Sequence, residues 1–217
     1  MAPLDDLDDL DALVERATKA AAAATGVQRS VLGITGAPGS GKSTLTEALV
    51  SRLLADGVRV APVGMDGFHL AQRELERLGR TARKGAADTF DVDGYVTLLA
   101  RLRARADHPV YAPEFRRDLE EPVGSAVPVL PETDLVVTEG NYLLVDDGGW
   151  ERVRPLLDEC WFIAPDEDVR HERLAERHRR HGRTPDAAWE RTMGSDETNA
   201  LLSNSTQSRA DLVLGAR

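Results

Sequence analysis

Apolar positions in this chain switch between helical and strand-like spacing. Leu4, Leu7, Leu10 and Val14 recur three or four apart, so residues 4–24 are expected to form an amphipathic helix leading to Gly26. Val31-Leu32-Gly33-Ile34-Thr35 then reads as a strand, and Leu45, Ala48, Leu49 and Leu53 mark one face of a helix that stops near Asp56-Gly57. Residues 58–63 read as a second strand ending at Gly64-Met65-Asp66-Gly67. The spacing predicts a helix over 69–80 broken by Gly79, a loop over 81–92 and a helix over 95–106. Residues 107–133 hold five prolines among short apolar stretches, which suggests a hairpin-like excursion or cap over the site. Leu135-Val136-Val137-Thr138 has the makeup of a buried strand running into Glu139-Gly140. A short helix over 150–158, a strand over 160–163, helices over 166–180 and 185–202, and a closing strand over 211–214 complete the order.

Strands alternating with helices predict an α/β fold: three layers, α/β/α, around a mainly parallel five-stranded sheet, with a helical lid. At 217 residues the chain is expected to be a single domain. Within it we expect an N-terminal helix (1–28), a substrate-side excursion (107–133) and a lid (166–184). Parallel sheets bind ligands beyond the C-terminal ends of their strands, so polar residues at strand ends are the first candidates for chemistry.

Gly36-Ala37-Pro38-Gly39-Ser40-Gly41-Lys42-Ser43 fits G-x-x-x-x-G-K-[ST], a phosphate-binding loop. Small residues let successive backbone N–H groups curl around phosphates, Lys42 can reach the β- and γ-phosphates, and the Ser43 hydroxyl can ligate Mg²⁺. Strand, glycine loop and helix follow in the order that places an anion at a helix N-terminus. Residues Gly36 to Thr44 are therefore the candidate nucleotide-binding segment, with ATP and Mg²⁺ as the expected cofactors.

Four further groups of residues stand at positions where chemistry is expected. Glu139 ends a buried strand and can hold Mg²⁺, although a solvated loop glutamate would look the same. Asp66 ends the second strand, where a carboxylate can take the proton of an attacking hydroxyl; capping the next helix is the alternative. Arg173, Arg177 and Arg180 share a helix face, and Gly182 offers a break after them. Such arginines either close over the triphosphate or form a salt-bridged surface. In the excursion, Tyr111, Glu114, Arg116, Arg117 and Asp118 suit a polar or anionic acceptor, or a plain surface loop. Lys42, Asp66, Arg173 and Arg177 are the candidate catalytic residues. Asp66, His69, Tyr111, Arg116 and Glu139 are the candidate substrate contacts, with Ser43 and Glu139 for the metal.

Composition narrows the partners. Hydrophobic residues make up 41% and charged residues 29%, ordinary for a globular protein. A net charge of −10 lacks the basic excess that a nucleic-acid partner would require. The acidic start of the chain is unlike a cationic leader, and no apolar run reaches the roughly 18 residues of a membrane span. A cytoplasmic protein with no nucleic-acid or membrane partner is the expectation, and a homodimer is compatible with it. The lone Cys160, inside Cys160-Trp161-Phe162-Ile163, is expected to be a buried small hydrophobe.

With these residues in view, the chain from about residue 30 resembles the P-loop kinases that include uridine kinase, bacterial pantothenate kinase and phosphoribulokinase. Met65-Asp66-Gly67-Phe68 is similar to their strand-end aspartate motif, and Glu139-Gly140 to their acidic strand end. Phe90-Asp91 followed by a helix and then Pro109-Val110-Tyr111 resembles the stretch leading to their substrate-contacting tyrosine. The 173–183 segment resembles their lid, and Ser205-Thr206 before Ala210-Asp211-Leu212-Val213 their final loop and strand beside the adenine. The likeness is strongest to a bacterial nucleoside/nucleotide kinase-like branch, and it implies an ATP- and Mg²⁺-dependent kinase acting on a small-molecule alcohol. Uridine kinases carry an aspartate after the tyrosine and pantothenate kinases a histidine two residues on, whereas here Tyr111 precedes Ala112-Pro113-Glu114. A nucleoside or nucleoside-like alcohol is the first expected acceptor, ahead of a fructose-like sugar or a pantothenate-like compound. A regulatory P-loop NTPase is the competing class. The guanine-specifying N-K-x-D is missing, and the D-x-x-G match Asp91-Val92-Asp93-Gly94 follows a loop and not a buried strand.

Overall fold

The computed structural model describes residues 10–215. Its strands are β1 (Ser30–Gly36), β2 (Val60–Gly64), β3 (Val110–Arg116), β4 (Glu121–Val129), β5 (Leu135–Gly140), β6 (Glu159–Ala164) and β7 (Leu212–Gly215). Its α-helices are α1 (Leu10–Ala22), α2 (Lys42–Ala55), α3 (Gln72–Arg77), α4 (Val92–Arg103), α5 (Glu167–Arg180), α6 (Pro185–Arg191) and α7 (Glu197–Asn204). Five strands form one sheet in the order β2-β5-β1-β6-β7, with every neighbouring pair parallel.

All seven residues of β1 are buried, because both faces of the sheet are covered. Alternation along the strands sorts their side chains into two cores. Leu32 and Ile34 join Leu135, Val137, Trp161 and Ile163 beneath α1 and α2, which supply Leu13, Ala17, Leu45, Leu49 and Leu53. Val31, Val136 and Phe162 face the opposite core, closed by Tyr95, Leu98, Leu99 and Leu102 of α4 and by Tyr142 and Trp150. Cys160 belongs to this second core, where burial pushes its thiol up to about 12.

Parallel pairing brings three strand ends to one edge. Glu139 is level with Ile34 of β1 and with Gly64 of β2, so the phosphate loop, the Glu139 carboxylate and the Asp66 turn emerge side by side. β3 and β4 form a separate antiparallel hairpin. It is held by Val110, Ala112 and Val129, which join Met65 and Phe90 in the second core.

Several elements differ from the sequence-based expectation, each for a local reason. The N-terminal helix is described from Leu10 to Ala22; residues 4–9 of the expected span lie outside the described residues. Only 72–77 of the expected 69–80 helix is α-helical. His69 pairs in a bridge with Phe90, and Leu70 N–H bonds to Thr89, so the backbone there is extended. α4 begins three residues early because the Asp91 carboxylate caps it, accepting from Gly94 N–H at 2.9 Å. The D-x-x-G match is thus a helix cap. The 150–158 stretch is two 3₁₀ turns, the second carrying Pro155, instead of one helix. The long C-terminal helix is interrupted by a π-helical turn, Thr192–Asp196.

Candidate active site

The phosphate loop is shaped by its glycines and by what packs behind them. Gly39 has φ +82°, and a Cβ there would lie 2.6 Å from Leu174 Cγ and 3.0 Å from the Arg170 carbonyl. The loop therefore touches α5 directly, and only glycine satisfies both the backbone and the contact. Lys42 is buried, its ammonium donating to the Gly36 and Ala37 carbonyls at 3.0 and 2.9 Å. Loss of water pushes its pKa down to about 8, against the opposing pull of Glu139 and Asp66. A triphosphate, bringing negative charge to this ammonium, would raise its pKa again.

Ser43 and Glu139 meet across the sheet edge, with the hydroxyl donating to Glu139 Oε1 at 3.2 Å. Burial, and then the neighbouring Asp66 charge, hold the Glu139 carboxyl above the usual carboxylate range. Two hard oxygen donors beside a phosphate loop fit a small divalent cation, and such a cation would relieve both effects.

Asp66 sits in the 3₁₀ turn Met65–Phe68 that follows β2. A Cβ on Gly67 would be 2.5 Å from the Pro113 carbonyl oxygen, so the hairpin presses its backbone onto this turn. His69 Nδ1 lies 2.8 Å from the Asp66 carbonyl. A carbonyl can only accept, so Nδ1 carries the proton and a neutral ring keeps Nε2 free as an acceptor. Burial lowers the His69 pKa, which favours that neutral ring. The imidazole packs between Phe90 and Phe115, with ring centres 4.1 and 4.8 Å away.

All these groups line one cleft of about 1530 Å³. Its acceptor end is built from Asp66, His69, Lys84, Phe90, Phe115 and Arg117, and its far wall from α5 and α6. Arg173 Nη1 would be 3.7 Å from a Cβ on Gly41, which places it beside the phosphate loop. Arg177 also lines the cleft; burial and then the nearby Arg117 lower its pKa. Arg180 also lines the cleft, largely exposed and paired with Glu176 at 3.0 Å.

Arg170, which sequence reasoning passed over, anchors this wall. It is fully buried, bonded to Glu167, Glu197 and His171, with Nη1 3.4 Å from the Pro38 carbonyl. Glu167, His171 and Glu197 have metal-like spacing, but the guanidinium already supplies their countercharge. The signal was present: Arg170 continues the series of Arg173 and Arg177 at helical spacing.

The structure brings Lys42, Ser43, Asp66, His69, Glu139, Arg173 and Arg177 to one cleft. It does not bring Tyr111 or Arg116 there. Tyr111 is 54% exposed on β3, and Arg116 forms a two-bond pair with Asp118 at 2.8 and 2.9 Å. The register breaks between Ala112 and Glu114, and past that break Phe115 and Arg117 face the cleft.

Comparison with known proteins agrees with this arrangement. Residues 10–69 match the family described as "Methylmalonyl Co-A mutase-associated GTPase MeaB". A Schizosaccharomyces pombe protein named "Putative uridine kinase" is 34% identical over 197 residues, 86% of this chain and 83% of that one. The Leuconostoc citreum protein named "Uridine kinase" is 34% identical over 157 residues, 70% of each chain. A crystal structure from Silicibacter, of a "putative fructose transport system kinase", superposes with a TM-score of 0.85 at 35% identity, covering 95% of this chain and 98% of that one. The chain belongs to the P-loop small-molecule kinases of the uridine kinase, pantothenate kinase and phosphoribulokinase group.

Proposed function

We propose that this kinase transfers the γ-phosphoryl group of ATP, with Mg²⁺, to a hydroxyl of a small nucleoside- or sugar-like alcohol. The observation that carries the reading is the Ser43–Glu139 contact at 3.2 Å with Asp66 at the neighbouring strand end. Asp66 takes the proton of the attacking hydroxyl, whose oxygen forms the new P–O bond as the bond to ADP breaks. Lys42, Arg173 and Arg177 meet the charge that spreads over the transferring group. Ser43 and Glu139 would hold the cation, which would supply neutralisation of the phosphate charge. A sugar or nucleoside ring fits an acceptor end flanked by His69, Phe90 and Phe115. The relatives' names, uridine kinase and fructose transport system kinase, support the same two classes.

Plain NTP hydrolysis needs the nucleotide half alone, and the match to the GTPase family ends at residue 69. Lys84, Phe90, Phe115 and Arg117 all lie beyond it, which favours an acceptor. A coupled ADP-release screen over nucleosides, ketohexoses, pentoses and pantothenate tests the reading. ADP release should depend on one class of alcohol and vanish in Lys42→Ala. Release that no alcohol alters would point to hydrolysis instead.

A further inference from the structure

Cations in this chain differ in how closely they are paired. Arg16, Arg59, Arg83, Arg103, Arg116 and Arg209 outside the cleft, and Arg179 in its wall, all have a carboxylate within 2.6–2.8 Å. Around the acceptor end the pairing is loose. Arg117 comes no nearer than 3.8 Å to Asp66, Lys84 no nearer than 3.9 Å to Glu120, and Arg191 no nearer than 3.9 Å to Asp196. Among the described residues, the Arg177 side chain has no ion pair or hydrogen bond. The nearest acid to Arg117 is Asp66, whose task in the reaction is to meet a hydroxyl.

The positions are supported from behind. Arg191 donates to the Ala82 and Lys84 carbonyls, and Tyr142 to the Gly85 carbonyl, which fixes the loop that carries Lys84. The Lys84 ammonium donates to the Glu120 carbonyl at 2.7 Å and stands 5.4 Å from the centre of the Phe115 ring. It is thereby drawn to the hairpin that carries Arg117. Lys84 and Arg117 both line the cleft with His69 and Phe115, and each disfavours a positive charge on the His69 ring.

Resting on the kinase reading above, we infer that the acceptor carries an oxyanion, a phosphate or a carboxylate, away from its reacting hydroxyl. Arg117 and Lys84 hold that group. Arg117 offers a planar fork of donors and Lys84 a point charge, a combination suited to a multi-oxygen anion. Arg177 lines the same cleft, within electrostatic reach of both Arg117 and Lys42, and meets the transferring phosphoryl group. The oxyanion then sets the acceptor's orientation and presents its hydroxyl to Asp66.

The test separates the anion site from the kinase activity. Protein saturated with a non-hydrolysable ATP analogue and Mg²⁺, so that the phosphate loop is filled, is titrated with inorganic phosphate and in parallel with acetate. Saturable binding is expected for at least one anion, weakened at least tenfold in Arg117→Ala and partly restored in Arg117→Lys. Arg116→Ala, at the neighbouring position outside the cleft, should alter it less than threefold. Preference between the two anions identifies the source as a phosphoryl or a carboxyl group. Absence of saturable binding of either anion, or equal binding in Arg117→Ala, overturns the inference.

Matched acceptors are then compared: glycerol, glycerol 3-phosphate and glycerate, and ribose beside ribose 5-phosphate. The charged member of a pair should promote ADP release, with KM raised at least tenfold in Arg117→Ala and kcat less affected. Transfer to neutral members alone removes the oxyanion site and leaves the kinase standing. Anion binding through Arg117 without ADP release from any alcohol supports the site and removes the kinase reading.

Discussion

The Ser43 hydroxyl and Glu139 Oε1 lie 3.2 Å apart, although 96 residues separate them in the chain. The parallel registers of β1 and β2 with β5 create that proximity, and burial makes the carboxyl reluctant to ionise. A divalent cation should reverse the reluctance. Glu139→Gln is expected to raise the Mg²⁺ concentration for half-maximal activity at least tenfold while the fold is retained. Unchanged Mg²⁺ dependence in an activity titration would remove Glu139 from the metal site.

Asp66→Asn keeps the shape of the side chain and removes the base. kcat should fall by roughly 10²–10⁴, with nucleotide affinity nearly unchanged. Steady-state kinetics beside direct binding of an ATP analogue would check this. Collapse of nucleotide affinity with surviving turnover would make Asp66 a structural cap.

Arg170 is the buried link between the phosphate loop and α5. Arg170→Met removes the shared partner of Glu167 and Glu197 and should destabilise the protein by about 1–3 kcal/mol. Arg170→Lys restores charge but not the fork that spans two carboxylates and His171, so it should recover only part of the loss. Denaturant unfolding of the three proteins distinguishes this anchor from an ordinary surface pair, for which the change would stay below about 1 kcal/mol.

His69 carries a pH signature. Its folded pKa lies below its ordinary 6.5, so in the window beneath 6.5 the unfolded chain binds more protons than the folded one. Stability from this residue is full above 6.5 and is lost as pH falls through the window. His69→Phe should flatten that part of the stability profile, measured as Tm against pH. An unchanged slope would mean that other groups set it.

Much of the nucleotide half was legible in the sequence, because each key residue ends an apolar run. Gly36–Ser43, Asp66 and Glu139 follow β1, β2 and β5, and parallel packing makes strand ends neighbours. The acceptor half was harder to read. Arg116 and Arg117 are adjacent and chemically identical, and only the irregular register between Ala112 and Glu114 decides which one faces the cleft. Lys84 sits in a stretch that looks like featureless loop until Arg191, 107 residues later, fixes its carbonyl. Arg170 was hidden among the arginines of a helix that reads as surface. Its burial depends on Glu197, beyond a π-turn that spacing alone does not announce.

The β3–β4 hairpin adds no strand to the main sheet and shares no backbone ladder with it. Its grip on the rest of the molecule comes from a few apolar residues, the Gly67–Pro113 contact and polar bonds at its tip, Lys84 to the Glu120 carbonyl and Gln72 N–H to Glu121. Changes in the length or sequence of its tip leave the phosphate-handling frame intact while redrawing the wall that the acceptor meets. The chain thus has the physical layout of an interchangeable tool on a fixed handle. In such a layout, relatives with the same chemistry can diverge in substrate through one short hairpin outside the main sheet.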